Sequence, residues 1–558
     1  MDWKILTGVL LFLLAFTVYR CTDDKKADFD EQQTASKENR VKANSDKKII
    51  EDKNGRIQKE NAARKLRGEL PSENIVTLEN KFFKAEFTSR GAAVKSFNLK
   101  NKQYLGPDRD WNTGLLKDDD KLVPINLVTT NPSGNFWTVF PLRLHFYEGL
   151  EGLLPDGDFT IEKSTTAEVV FKYTQDDQPV VIYKKFELAD EKEPYQMWLT
   201  TRIVNTGDDT VSFRPGIIQT GFQPPEEAKS GMFSPQPNLQ QGLCDSSEDM
   251  FIESWDKIEE PFIGTGVKFA GVGNNYFISA MLPGDNAPVT CRVTAEPSHI
   301  IRTDLQWGQI DLKPGEDVVL KVKNYMGPKQ YQVLASVGNN LEKAADFGIF
   351  APISKLILKL LFLLQKYVVN WGVAIIILTV LIKLSLVPLT NKSFKSSNAM
   401  KALKPEMDKL NEQYKDDPQA KQKAIMALYK QKGVNPVGGC LPMLLQMPIW
   451  FALFRTLRSS PELYRAPFYG WITDLSNADP YFVTPVVMGL LMFVQQTMTP
   501  MGTDNAQMKM MMYFMPIMFT VMMIFLPSGL TLYIMVNTIL SILHQWILKK
   551  RSEAATAA

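Results

Sequence analysis

Apolar residues in this chain gather toward its two ends, and the hydrophobic period changes more than once between them. Residues 3–19 (WKILTGVLLFLLAFTVY) form a single apolar run behind Asp2, with Lys4 as its only charge. At about 1.5 Å per helical residue, the run just spans an apolar layer roughly 30 Å thick. No small-x-small cleavage site follows it. Cys21 comes after Tyr19 and Arg20, where lipoprotein processing would want small residues. Residues 1–21 therefore read as a retained transmembrane signal anchor rather than a cleaved signal peptide. Residues 22–74 are rich in Lys, Asp, Glu, Gln and Asn and poor in aromatics. Such a composition cannot bury enough surface to fold alone, which makes it a flexible charged linker.

From 75 to 340 the pattern alternates with period two. FFKAEFTS (82–89), VVFKYT (169–174), VVIYKKFEL (180–188), YQMWLTTRIVN (195–205), NYFISAML (275–282) and DVVLKVKNYMG (317–327) each place apolar residues on one face, between Gly, Pro, Asn and Asp breaks. Alternation with β-branched and aromatic residues predicts half-buried strands. So many strands in one stretch predict a large antiparallel β-sandwich. Residues 350–368 switch to a helical period. Leu356, Leu360, Leu363, Leu364 and Tyr367 form a stripe, with Lys355, Lys359 and Lys366 mainly opposite. That pattern predicts an amphipathic helix at a membrane surface; the alternative is a helix packed on the β-domain.

Five longer apolar segments follow: 369–390, 441–458, 481–499, 508–526 and 529–548. Each is near the length a bilayer requires. Their prolines are tolerable because neighbouring helices can satisfy the freed carbonyls. The fold class predicted is thus a membrane α-helical bundle, five core helices plus the N-terminal anchor helix, carrying a large all-β sandwich domain.

Charge orients this arrangement. The segment 391–433 holds ten lysines against five acidic residues, and the tail 549–558 begins Lys549-Lys550-Arg551. Short cytoplasmic loops carry the Lys/Arg excess, so both segments are expected in the cytoplasm, together with both termini. The β-domain then lies on the other side, in the periplasm if there is an outer membrane. Arg455, Arg458 and Arg465 fall on that outer side against the trend. Segment 391–433 breaks at Asp417-Pro418 between two helical stretches, and Met400, Leu403, Met407 and Leu410 share one face. It reads as a helical hairpin, either solvated and touching anionic headgroups or acting as a docking arm for ribosome or client.

The chain has 558 residues, too many for one ordinary core, and a net charge of only +2. There is no global basic field for nucleic acid. The four cysteines and three histidines lack metal-ligand spacing, no Gly-x-Ser-x-Gly elbow occurs, and no GxxxxGK[ST] phosphate loop is present. No catalytic residue, metal or cofactor is expected, and the protein is not read as an enzyme. Cys244 and Cys291 can pair if their domain meets an oxidising compartment.

Lys383 is the sharpest single residue. It sits in TVLIKLSLVP about nine residues, or roughly 13 Å, from the cytoplasmic end of its span. A charge at that depth costs on the order of 3 kcal/mol and usually faces a bundle interior or a water-filled cavity. Snorkelling toward the interface is the alternative. Thr379 lies one turn earlier on the same face. Gln446 and Trp450, and Tyr533 and Asn537, are further i, i+4 pairs, and Gln495 and Gln496 lie near the inner end of their span. Converging, these faces make one hydrated groove; taken singly, each pair is interhelical hydrogen-bond glue. Eight methionines between Met508 and Met523 suit a wall that accommodates varied apolar partners, or plain lipid-facing filler.

The runs GVAIIILTVLIKLSLVPLT (372–390), VNPVGGCLPMLLQMPIWFALFRTL (434–457), RAPFYGWITDLSNADPYF (465–482) and FMPIMFTVMMIFLPSGLTLYIMVN (514–537) resemble the YidC/Oxa family of membrane insertases in order and spacing. The β-rich insert and N-terminal anchor resemble its Gram-negative form, whose periplasmic domain is a β-supersandwich. The resemblance implies a chaperone-like insertase for nascent membrane proteins, working alone or with the Sec translocon, with ribosome and lipids as further partners. It implies a groove arginine where this chain has Lys383. Lysine keeps the charge and loses the bidentate fork. Thr379, Met447, Trp450, Gln496 and Tyr533 fall at positions that resemble groove or client-contact residues, and Ile534 stands where many relatives carry a second aromatic. Two rivals, a transporter and a receptor sensing through the β-domain, predict an inverted repeat and a cytoplasmic output domain respectively. Neither feature is found in the sequence.

Overall fold

A computed structural model describes residues 73–109, 116–129, 140–150, 153, 157–176, 178–224, 238–284, 289–296, 299–415, 417–434, 441–498 and 506–557. The expected anchor (1–21) and nearly all of the linker (22–74) lie outside the described residues.

Alternation along the middle of the chain produces antiparallel sheets, as the pattern predicts. The strand Gln196–Asn205 is flanked by Val180–Leu188 and Asp317–Pro328 inside a nine-stranded sheet. Register sets Leu199 opposite both Phe186 and Val322, so successive inward positions build one apolar layer. A six-stranded sheet, centred on Val211–Phe222 and Ile300–Trp307, covers it. Thr303 Oγ1 reaches across to the Gly271 carbonyl at 2.9 Å, and Gln219 donates to Ser279 Oγ at 2.5 Å. Cys244 of the larger sheet is joined to Cys291 of the smaller one by a disulfide. A three-stranded sheet (Ile75–Glu79, Phe83–Thr88, Ala93–Leu99) extends the same core.

One inward position is not apolar. In VVIYKKFEL, Lys184 alternates in phase with Val180, Ile182 and Phe186 and is fully buried. Its ammonium donates to the carbonyls of Gly91, Ala92 and Leu142 at 3.2, 2.5 and 2.7 Å. Three carbonyls match three donors, which is how a lysine survives in a core. Burial, and then Arg143 nearby, hold its amine well below the ordinary lysine range.

A short helix α1 (Tyr331–Val337) leads to α2 (Ala351–Val368). Its buried residues are Ser354, Ile357, Leu358 and Leu361. Leu358 joins the β-domain core, while Ile357 and Leu361 join the core of the helical bundle. Three members of the predicted leucine stripe stay open, with Leu356, Leu363 and Tyr367 exposed by 58, 50 and 79 %. Leu360 and Leu364 are half-buried against the bundle core, so the apolar stripe is only partly separate from the face that packs on protein.

Beyond α2 come α3 (Trp371–Ala402), α4 (Lys404–Gln413), α5 (Pro418–Gln431), α6 (Leu441–Ser459), α7 (Val483–Met498), α8 (Ala506–Met523) and α9 (Ser528–Ala557). Among the described residues, 348–368, 371–400 and 528–551 are long and apolar enough to cross a membrane; 483–498 and 514–523 are shorter apolar helices. Two boundaries differ from expectation. α3 runs unbroken past 390 to Ala402, so the hairpin proper is α4 and α5, and the tail after 548 continues α9. No helix breaker follows Pro388 before Lys404-Pro405, and the tail Ser-Glu-Ala-Ala-Thr-Ala has neither Gly nor Pro to stop it. Asp417 caps α5 by accepting from the backbone N–H groups of Gln419 and Ala420 at 3.0 Å. Leu403, Met407 and Leu428 form the small core of the hairpin.

The β-domain meets the bundle at the segment after α6. Gln103 Nε2 donates to the carbonyls of Glu462 and Tyr464 at 2.7 and 2.9 Å, and Tyr464 OH donates to the Leu105 carbonyl at 3.2 Å.

Candidate functional site

Lys383 lies midway along α3, and α9 crosses beside it. Its ammonium donates to Ser541 Oγ at 2.6 Å and to Asn537 Oδ1 at 3.3 Å, both on α9. Ser541 Oγ in turn donates to the Asn537 backbone carbonyl at 2.7 Å. One turn before Asn537, Tyr533 is buried, and its hydroxyl is hydrogen-bonded to Gln446 Nε2 of α6. Toward the other end of the seam, His544 is 2.8 Å from Asn391 Oδ1. Positions 533, 537 and 541 are successive i, i+4 neighbours on α9, so one helix face collects polar groups from α3 and α6.

Of the residues singled out from sequence, the structure brings Lys383 to Asn537 and Gln446 to Tyr533. Thr379 is buried and donates to the Ile375 carbonyl of its own helix at 2.7 Å, so it is not bonded to Lys383. Met447 is exposed by 43 %. Trp450 is half-buried and packs on Phe451 and Phe454 at 4.7 and 6.5 Å between ring centroids. Its indole N–H is buried with no hydrogen-bond partner among the described residues, and the same holds for Gln496 Oε1. Buried unsatisfied polar atoms are costly in hydrocarbon. Ser541 was missed. The signal was available, because it continues the 533, 537 spacing by another four residues, but a serine on a membrane helix usually bonds its own backbone. Ser541 does so as well as receiving Lys383.

Methionine gives a mixed result. Met518 is exposed and Met523 is buried in the bundle core. The side chains of Met508, Met510, Met511 and Met512 lie outside the described ones. α7 and α8 approach closely at Gly489, where a Cβ would overlap the Thr520 hydroxyl. No group of three or more potential metal-ligating side chains occurs among the described residues.

A second group of buried charges lies at the junction with the β-domain. Burial pushes the Glu462 carboxyl up to about 7, and Tyr104 and Tyr325 are the titratable groups facing it. Lys329 is buried and held down to about 7 by the same cause, partly offset by Asp346.

Residues 363–555 match the family model described as 60Kd inner membrane protein, and residues 75–360 match the YidC periplasmic domain. A membrane protein insertase YidC of Anaeromyxobacter dehalogenans is 37 % identical over 502 residues, covering 87 % of this chain and 86 % of the relative. That of Geobacter sulfurreducens is 35 % identical over 489 residues, covering 85 % and 86 %. A crystal structure of an active YidC insertase with its first transmembrane domain resolved covers 85 % of this chain and 92 % of its own, at 16 % identity and a TM-score of 0.35. A galactose mutarotase-like protein from Lactobacillus casei covers 45 % of this chain at 12 % identity and a TM-score of 0.30. Both structural likenesses are slight.

Proposed function

The chain belongs to the YidC family of membrane protein insertases, and from that premise we propose that it passes hydrophilic client segments into the bilayer through a hydrated groove centred on Lys383. Membrane-protein insertion at the inner membrane is the activity of the family. The observation that carries the groove reading is the polar seam of α9: an ammonium held by Ser541 and Asn537 within an apolar helical bundle. A cation so placed needs water or an anionic partner. It draws acidic residues of the client's translocated segment inward and lowers the desolvation that segment would otherwise suffer. Thr379, Gln446, Met447, Trp450, Gln496, Tyr533 and Asn537 are the residues proposed around the path. The unsatisfied Trp450 and Gln496 atoms are the points where a client's backbone can bond.

Hydrophobic transfer of the client's span into lipid supplies the driving force, since no nucleotide loop is present in the sequence. In this reading the hairpin α4–α5 stands in the cytoplasm and receives the ribosome, the β-domain stands in the periplasm, and the Sec translocon is a partner for larger clients. α2 lies in the interface with its exposed leucine stripe toward lipid.

Reconstitution tests the proposal. Vesicles holding the full chain are given a short single-span client whose translocated end is acidic. Lys383→Arg is expected to insert it at close to wild-type yield, and Lys383→Ala at about a tenth or less, as the loss of one desolvated charge interaction implies. Equal yield from Lys383→Ala would remove the charged groove. Equal yield from empty vesicles would remove the insertion assay's dependence on this protein altogether.

A further inference from the structure

The three arginines that run against the cytoplasmic charge bias gather at the β-domain end of the bundle, each with protein neighbours. Arg455 pairs with Asp346 at 3.5 Å, and Arg465 lies over the Tyr464 ring at 5.9 Å. Arg458, in the last turn of α6, lines a cleft of about 70 Å³ between the bundle and the β-domain. We propose that this cleft binds the phosphate of an anionic phospholipid from the leaflet on the β-domain side, with Arg458 as the anchoring cation.

Chemistry of the lining points to an anion. Asn238, Asn275, Ser476 and Asn477 share the cleft with Arg458. Asn238 Oδ1 accepts from the Asn275 backbone N–H at 3.0 Å, and Asn477 Oδ1 accepts from the Ala478 backbone N–H at 2.9 Å. Each of these oxygens already accepts one hydrogen bond, and the NH2 groups are the donors that the two side chains offer. A guanidinium brings five donors and matches phosphate oxygens in a fork, so it can serve a ligand alongside its protein neighbours. The carboxylate of Asp474, close in sequence to Ser476, is engaged already: its Oδ1 accepts from Arg465 N, Ser476 N and Ser476 Oγ at 3.1, 2.8 and 2.6 Å.

Shape and position select a lipid. The volume is far below the roughly 300 Å³ of an ordinary small-molecule pocket, so one end of a ligand enters and the rest stays outside. On the bundle side the cleft is closed by Phe454, Phe525 and Leu526, from α6 and the turn before α9. A lining that combines polar donors with apolar side chains, at the end of membrane helices, suits a headgroup phosphate whose acyl chains run down the bundle. The bound lipid would tie the Asn238 and Asn275 loops of the β-domain to the helix ends.

Native mass spectrometry of the detergent-purified full chain, loaded with phosphatidylglycerol or with diacylglycerol, reads the site. Wild type is expected to retain one more phosphatidylglycerol than Arg458→Gln, with retention falling about tenfold in the variant. Arg458→Lys should retain an intermediate amount, since it keeps the charge and loses the fork. Asn238→Asp keeps the acceptor for Asn275 N but sets a carboxylate in the cleft, and should lose the lipid with Arg458 untouched. An unchanged thermal midpoint in these variants separates lost binding from lost folding. Equal phosphatidylglycerol retention by wild type, Arg458→Gln and Asn238→Asp overturns the proposal, as does equal retention of diacylglycerol. Displacement of the lipid by millimolar inorganic phosphate would make a free phosphate the occupant and overturn the lipid assignment.

Discussion

Lys383 shows how one side chain can be placed by two others that the apolar pattern conceals. Its ammonium is within 2.6 Å of a serine and 3.3 Å of an asparagine, both neutral, so its charge is oriented without being cancelled. Ser541→Ala removes the shorter bond and leaves Lys383 free to swing along the seam. Insertion of an acidic client is expected to fall about threefold to tenfold, with a neutral-tailed client unaffected, in the same vesicle assay. Lys383 itself was legible as a charge deep in an apolar run; its partners were not, because neither serine nor asparagine is unusual on a membrane helix. Thr379 illustrates the opposite case, a polar residue on the right face whose hydroxyl is used up by its own backbone. At the junction, Glu462 keeps its proton more tightly folded than unfolded, from about 4.5 up to about 7. Its contribution is therefore neutral below the unfolded value, becomes unfavourable as pH rises from about 4.5 to 7, and levels off above. Lys329 acts in the opposite sense, losing stability as pH falls from about 10.5 toward 7. Glu462→Gln isolates the first effect: the variant should be more stable than wild type at pH 8, by at most on the order of 3 kcal/mol, and equal to it near pH 4. Thermal unfolding followed at both pH values checks this.

At the level of elements, period and punctuation account for most of what formed. VVIYKKFEL becomes the strand Val180–Leu188 end for end, because its alternation matches a pleated, half-buried surface. The Asp417-Pro418 break becomes a helix start, with the aspartate capping and the proline in the first turn, where it needs no N–H. Asp417→Ala should cost about 1 kcal/mol of local stability in α5 and speed amide exchange over residues 418–431, leaving the β-domain's exchange unchanged. The amphipathic helix was readable as such, but the face that packs was not. α2 buries Ser354, Ile357, Leu358 and Leu361, a stripe containing a serine that donates to the Ala452 carbonyl at 3.1 Å. Hydrophobicity ranks apolar faces and is silent on whether lipid or protein covers each.

Across the described residues, the sheets of the β-domain and a helical bundle are held by long-range ties. The Cys244–Cys291 bond joins residues 47 apart and staples the sheets. Replacing both cysteines by serine should lower the stability of the β-domain by about 3 kcal/mol, read as a reduced midpoint in denaturant with little change in insertion by the bundle. The segment after α6 carries the junction through Gln103, Glu462 and Tyr464, so a stretch that reads as a loop between membrane helices is also the platform for the β-domain. The run that follows it, RAPFYGWITDLSNADPYF (465–482), signalled the family resemblance, while Glu462 and Tyr464 just before it gave no hint of that contact.

Linear order was enough for the succession of a sandwich and then membrane helices, for the helical break at Asp417-Pro418, and for marking Lys383 as a charge within an apolar run, since each depends on local period, local turn chemistry or the cost of a charge in hydrocarbon. Pairing was beyond it. That Cys244 meets Cys291, that Ser541 and Asn537 receive Lys383 and that Lys184 finds three carbonyls all depend on segments far apart in the chain coming within hydrogen-bonding or covalent reach, a distance that only packing in three dimensions sets.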